Sequence, residues 1–229
     1  MKIAFFGDSF CTEENNPHSF LYGYDTYLTK LKDHYNADIV NLGVGGSSHW
    51  DLIIKQFPKF KDDLPDVCIF CWTDYGRLYH PTVRTLTYGS SKNTKLKDFK
   101  LDQVLQYNVH KSAKEYFNHL YDDDKARLEY ASALYHFDKT VLTELENKTK
   151  IIHIWSTGCF YQWSTGLEVR PSLNSVAQLP IEHKHDSMSA NHLGGEKKNN
   201  IVFEWLRYAI DNHQNGKLFD NSAAIPNPC

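Results

Sequence analysis

Long apolar runs are missing from this 229-residue sequence. No stretch approaches the roughly 20 apolar residues that a membrane-spanning helix requires. The N-terminal apolar run covers only about four residues before Gly7-Asp8, too few for a secretory signal, so a cytoplasmic protein is expected. A basic excess is missing too. The formal charge of −3 argues against a nucleic-acid binder, which needs a cationic footprint. Cysteine is sparse and odd in number, at Cys11, Cys68, Cys71, Cys159 and Cys229. Cys68 and Cys71 have CxxC spacing inside the apolar run Val67 to Cys71, where residues three apart point to opposite faces of a strand. They are therefore read as buried free thiols in a reducing compartment, not as metal ligands. Neither an internal repeat nor a linker divides the chain.

What remains is ordinary for a soluble globular protein: 41% hydrophobic and 23% charged, with a high aromatic content of 14% that serves cores and also lines ligand clefts. Lys2-Ile3-Ala4-Phe5-Phe6 reads as a short buried strand running into Gly7-Asp8-Ser9-Phe10. Asp25 or Thr26 caps a helix to about Tyr35, with Tyr27, Leu28, Leu31 and Tyr35 on one face. A second strand, residues 37–42, ends in Gly43-Val44-Gly45-Gly46-Ser47-Ser48. A helix with the stripe Trp50, Ile53, Ile54 and Phe57 follows. The third strand, Val67 to Trp72, opens into Thr73-Asp74-Tyr75-Gly76-Arg77.

Periodicity is poor from about 75 to 122. Tyr88 to Asn93 is turn-like, and one or two short helices are expected within 101–121. This stretch reads as an insertion over one face of a single domain spanning 1–229. A helical stripe returns through Tyr130, Leu134, Phe137, Val141 and Leu145, and a fourth strand covers Lys150 to Trp155. Residues 157–190 read as a long loop with a brief extended piece at 178–181. The last helix spans about Glu196 to Asp211, and a polar surface tail follows from Gly216. Strand and helix alternate with crossover-sized connections, which predicts a parallel sheet of four to five strands with helices on both faces.

The carboxyl ends of those strands bring together residues remote in sequence: Ser9, a glycine-rich turn, Thr73 with Asp74 and Arg77, and His192 before the final helix. A hydroxyl nucleophile, backbone donors and a base are what acyl transfer to serine requires. Read alone, Gly7-Asp8-Ser9 is better taken as a strand followed by an Asx-type turn in which Asp8 and Ser9 satisfy backbone amides. His183 and His185 sit on a loop with only Glu182 and Asp186 nearby, and read as solvated side chains rather than ligands, so no metal is expected.

Gly7-Asp8-Ser9-Phe10, the turn Asn41-Leu42-Gly43-Val44-Gly45-Gly46 and the late Asn191-His192-Leu193 together resemble the SGNH (GDSL-type) serine hydrolases. The likeness is greatest to the divergent phage and bacterial branch whose third block reads Trp-Thr-x-x-x-Arg, here Trp72 to Arg77. The resemblance implies a three-layer flavodoxin-like sandwich and a cofactor-free serine esterase, with carbohydrate O-acetyl esters among its substrates. It implies Ser9 as nucleophile supported by Asp8, and His192 as general base. The oxyanion donors would be the Ser9 N–H and a glycine N–H, Gly45 first, then Gly43 or Gly46.

Two positions depart from the family pattern. Thr73 stands where an Asn side chain normally donates to the oxyanion, with Asp74 matching the block's final acid and read as a loop tie. Ser189 stands where an Asp normally orients the histidine, leaving Asp186 as the nearest acid. Arg77 is read either as a clamp on a substrate carboxylate or phosphate, or as the partner of Asp74. Tyr75, Tyr79, His80 and Trp163 are possible cleft walls or loop packing. The expected partner is a small-molecule or carbohydrate ester, with no nucleic acid and no membrane. The alternatives are a weak or inactive binding protein on the same scaffold, suggested by Thr73 and Ser189, and an acyltransferase.

Overall fold

The computed structural model describes residues 1–11, 25–60, 62–84, 86–93, 95, 103–158, 161–179 and 193–221. Six parallel strands form one sheet: β1 (Lys2–Phe6), β2 (Asp38–Asn41), β3 (Val67–Trp72), β4 (Lys150–Trp155), β5 (Leu167–Arg170) and β6 (Lys217–Asp220). Their spatial order is β2-β1-β3-β4-β5-β6. The chain leaves β1 in one direction and returns past it to β3, so the order reverses between those two strands. Such a reversal opens a crevice at the carboxyl edge of the sheet, where ligands of open α/β folds collect.

The central strands β1, β3 and β4 form because their apolar runs are continuous, as burial on both faces requires. Alternate residues feed two cores. Ile3 and Phe5, Val67, Ile69 and Cys71, and Ile152 and Ile154 face one side. There they meet α1 (Tyr27–Tyr35) and two later helices, α6 (Leu173–Ala177) and α7 (Glu196–Asp211). Ala4, Phe6, Cys68, Phe70 and Trp72 face the other side, against α2 (His49–Asp51) with its continuation to Phe60 and against α5 (Asp123–His136) with its continuation to Leu145. The result is the three-layer α/β sandwich. Cys68 and Cys71 belong to opposite cores, as strand alternation demands.

Capping sets the helix starts. The Thr26 hydroxyl accepts from the Thr29 N–H, and Asp122 accepts from Lys125. Ser48 and Asp51 form a reciprocal capping box. Beyond Asp51 the chain widens into a π-helical turn, Leu52–Gln56, and tightens again over Phe57–Phe60. That change of winding buries Leu52 and Phe57 but leaves Trp50 38% and Ile54 48% exposed. The single stripe expected from a regular helix is therefore split, and Trp50 and Ile54 face outward.

Three further expectations are corrected. Residues 88–93 form a short helix, α3, rather than a turn, and 104–119 form one continuous helix, α4. Within the described part of 157–190 a strand lies at Leu167–Arg170 and Gln178 ends the short helix α6, while residues 180 and 181 of the extended piece read at 178–181 lie outside the described residues. The buried Asp138 fixes the approach to that strand by accepting from the Ser164 and Thr165 N–H groups at 2.9 and 3.0 Å. The tail contributes β6 beside β5, giving six strands where four or five were read. Both added strands are four residues long, too short for periodicity to register. Between β3 and α5, α3 and α4 pack on their own small cluster of Val83, Leu86, Ala113 and Phe117.

Candidate active site

Ser9 follows β1 in a tight turn closed by the Cys11 N–H donating to the Asp8 carbonyl at 3.0 Å. The Asp8 carboxylate is fully buried, and its Oδ1 accepts from the Phe10 N–H at 3.1 Å, so Asp8 does form the Asx-type turn. Ser9 is left half-buried at the carboxyl edge of the sheet.

Behind the turn, the Gln56 amide grips Gly7 from the continuation of α2. The Gly7 N–H donates to Gln56 Oε1 at 2.6 Å, and Gln56 Nε2 donates to the Gly7 carbonyl at 2.9 Å. Gln56 is buried, 49 residues away in sequence, and nothing in the sequence marked it.

The glycine turn lies against this first loop. The Val44 N–H donates to the Gly7 carbonyl at 3.1 Å, and Asn41 donates its side-chain amide to the Cys11 carbonyl. A Cβ on Gly43 would stand 2.4 Å from the Cys11 Cβ, so that position is closed to any side chain. Gly45 and Gly46 form the tip of a turn closed by the Ser47 N–H donating to the Val44 carbonyl, with Gly46 at φ 75°, a left-handed value that suits glycine. Gly45 sits beside the serine: a Cβ built on it would be 3.9 Å from the Ser9 Cβ. Among the described residues, the Gly45 N–H has no acceptor. Gly43 is thus a packing position, while Gly45 adjoins the Ser9 side chain at its Cβ.

Thr73 follows β3 on the far side of the crevice. It is buried, and its hydroxyl has no hydrogen-bond partner among the described residues. The Thr157 hydroxyl, after β4, is in the same condition. Tyr130 on α5 fixes the Thr73 backbone by donating to its carbonyl at 2.8 Å. Asp74 Oδ1 accepts from the Gly76 N–H at 2.6 Å and so ties the loop.

Arg77 reaches back from that loop. Its guanidinium lies 3.4 Å from Asp8 Oδ2 and donates to the Ser47 carbonyl at 3.1 Å. The pairing read with Asp74 is thereby corrected to Asp8. This matters because Asp8 is buried and needs a countercharge, while Arg77 is itself only 17% exposed. One arginine joins all three loops. The positive helix end at Ser47-Ser48 is also already occupied, because Asp51 Oδ2 accepts from the Ser48 N–H and hydroxyl at 3.0 Å. Burial pushes the Asp51 carboxyl up, but the Ser48 donors and Arg84 outweigh it and hold the pKa below its ordinary value.

A cleft of about 420 Å³ opens beside these loops. Arg77 forms part of its wall, along with Trp50, Tyr75, Tyr79, Tyr116, Tyr121 and Tyr130, and His49 lines it next to the glycine turn. Tyr75 and Tyr79 line this cleft and also pack locally, Tyr75 against Arg127 and Tyr79 against Lys55. Trp163 does not line it: it is buried and stacks on His153 at 3.8 Å within the core. His80 serves its own turn, accepting from the Thr82 and Val83 N–H groups. His192 and Asp186, read as base and orienting acid, lie outside the described residues, as do His183 and His185.

No protein-family model matches the chain, and no curated protein matches it. Among solved structures it is similar to an acetyl xylan esterase, with 16% identity over 98% of this chain and 79% of that one, at a TM-score of 0.33. A likeness at that score assigns neither activity nor substrate.

Proposed function

We propose that the chain is a serine ester hydrolase of the SGNH type, with Ser9 as nucleophile and His192 as general base. The observation that carries this reading is the adjacency of Ser9 to Gly45, whose N–H is unclaimed among the described residues, at the reversal point of the sheet. His192 takes the Ser9 proton as Oγ attacks the ester carbonyl. The carbonyl oxygen becomes an oxyanion held by the Ser9 and Gly45 N–H groups and by the Thr73 hydroxyl, whose proton has no other acceptor among the described residues. Collapse expels the alcohol, protonated by His192, and leaves an acyl-Ser9 ester. Water, deprotonated by His192, then attacks the acyl carbon; the bond to Ser9 Oγ breaks, the acid leaves, and Ser9 takes the proton back from His192. Asp186 orients the imidazole.

Labelling with a fluorophosphonate probe tests this. Stoichiometric modification is expected at Ser9, absent in Ser9→Ala and strongly slowed in His192→Ala. An unlabelled wild-type protein at high probe concentration leaves a binding protein on this scaffold as the surviving reading. Added polyol acceptors that divert the acyl group from water would identify an acyltransferase.

Thr73→Val gives a second, independent check. The hydroxyl it removes has no partner among the described residues, so stability by urea unfolding should hold or rise slightly. Labelling should slow about 10²-fold, the usual consequence of losing one oxyanion donor. A labelling rate equal to wild type removes Thr73 from the mechanism.

A further inference from the structure

We propose that Gln56 is the positioning residue of the oxyanion site, holding the backbone donors of Ser9 and Gly45 at a fixed separation. The inference rests on the hydrolase reading and adds to it a residue that need not touch substrate. Those two donors stand on different loops. The register between β1 and β2 ends at Phe5 and Asn41, ahead of both. Beyond that point the spacing is set by individual bonds.

Gln56 supplies three of them with one amide. Its Oε1 accepts from the Gly7 N–H at 2.6 Å, and its Nε2 donates to the Gly7 carbonyl at 2.9 Å while standing 3.4 Å from Ser47 Oγ. Gly7 lies two residues before Ser9, and Ser47 two residues after Gly45. One planar group thus grips both halves of the site at equal distances along the chain. The reversed amide would turn a donor on the Gly7 N–H, so only one orientation is satisfied. Gln56 and Ser47 are 4% and 1% exposed, which keeps water from substituting for these bonds.

The mount of the amide is rigid as well. Gln56 closes the π-helical turn Leu52–Gln56, and such wide turns are rare and concentrate at functional sites. Its neighbour Phe57 packs edge-on against Phe6 at 5.8 Å, immediately before Gly7. Arg77 ties the same loops by charge, through Asp8 and the Ser47 carbonyl. Gln56 ties them without one, and so puts no anion behind a site that must stabilise negative charge.

Released from this grip, the two donors would no longer converge on one oxygen. A misplacement of about 1 Å can cost about 10²-fold in rate. Gln56 is not among the described residues that wall the cleft beside Arg77, so probe binding should change little. The test measures fluorophosphonate labelling of Ser9 in the full chain against probe concentration, which separates the limiting rate from the half-saturating concentration. Rates are taken per folded molecule, with the folded fraction from near-ultraviolet circular dichroism. Gln56→Leu should lower the limiting rate about 10²-fold and move the half-saturating concentration less than about threefold.

Gln56→Glu supplies the readout that a merely structural role would not move. Its ionised carboxylate cannot donate to the Gly7 carbonyl, whereas its protonated form restores one donor and one acceptor. Burial raises a carboxyl pKa, so its limiting rate relative to wild type should rise about fivefold or more from pH 8 to pH 5. Division by wild type removes the titration of His192, and the Gln56→Leu ratio should stay flat. A Gln56→Leu limiting rate equal to wild type overturns the proposal, as does a Gln56→Glu ratio that ignores pH. Where Gln56→Leu does not fold, the Gln56→Glu profile alone decides. An unlabelled wild type overturns the hydrolase reading and this role together; a labelled wild type with unimpaired variants overturns this role alone.

Discussion

Replacing Gln56 with leucine keeps most of its volume and removes both bonds to Gly7. The Gly7 N–H would then be left in a buried setting without an acceptor. A loss of about 1–3 kcal/mol in urea unfolding is expected, the usual cost of one such orphaned group. Arg77→Ala should cost more, about 3–5 kcal/mol, since it strands the fully buried Asp8 carboxylate. Charge alone does not explain the preference for arginine at 77. Its forked head spans Asp8 and the Ser47 carbonyl at once, which a lysine ammonium reproduces less well. Ser9, Gly45, Thr73 and Arg77 were all legible as residues of interest because they follow apolar runs. Their partners were not legible, since Asp8–Arg77 and Gly7–Gln56 are meetings between distant segments.

At the scale of the elements, the glycine turn divides into two halves with opposite sensitivities. Gly43→Ala forces a Cβ to 2.4 Å from that of Cys11, and overpacking of this kind costs about 1–3 kcal/mol. Gly45→Ala meets only the Ser9 Cβ at 3.9 Å, an ordinary contact, so its unfolding midpoint should stay within about 0.5 kcal/mol of wild type. If Gly45 serves the proposed oxyanion site, Ser9 labelling in this variant should nonetheless slow, because the new methyl would crowd the approach to Ser9. Equal stability losses for the two variants would contradict this division. The π-helical turn after α2 acts at the same scale. Within it Gln56 turns inward toward Gly7, while Trp50, just before it, stands exposed in the cleft wall. A regular helical wheel drawn from the sequence puts Trp50 and Ile54 inside, and the periodicity carries no signal that would say otherwise.

Across the whole molecule, two buried histidines make the fold sensitive to acid. Burial lowers the pKa of His49 to about 4 and of His153 to about 3, against an unfolded value near 6.5. His153 is further committed as a neutral ring, accepting from Trp72 Nε1 at 3.0 Å while its Nε2 lies 2.9 Å from the Thr165 carbonyl. Below 6.5 the unfolded chain binds protons that the folded chain refuses. The stability from these groups is therefore complete above pH 6.5 and declines as pH falls toward 4 and then 3. Each histidine contributes a slope approaching about 1.4 kcal/mol per pH unit within its window. Glu168 acts in the opposite sense, since burial raises its carboxyl despite Arg170 and Trp155, favouring its protonated form as acid is added. Urea midpoints measured from pH 7 to pH 4 should fall, and His49→Phe should flatten the upper part of that fall. A midpoint that does not change between pH 6.5 and 4 would mean that these rings are solvated.

The sequence by itself determined the layered α/β plan, because continuous apolar runs can only be strands covered on both faces, and the helices between them carry their own caps. It also singled out the hydroxyl after β1 and the glycine turn after β2, since both sit where local backbone chemistry changes abruptly. Only the tertiary structure decided the rest. The sheet supplied β5 and β6 through pairing with neighbours, where four residues carry no period of their own. Packing sent Trp163 into the core, turned Trp50 outward, and gave Arg77 to Asp8 instead of Asp74. Those choices rest on contacts between residues tens of positions apart, and the energy of a buried charge or an unmet hydrogen bond is fixed by which segments meet.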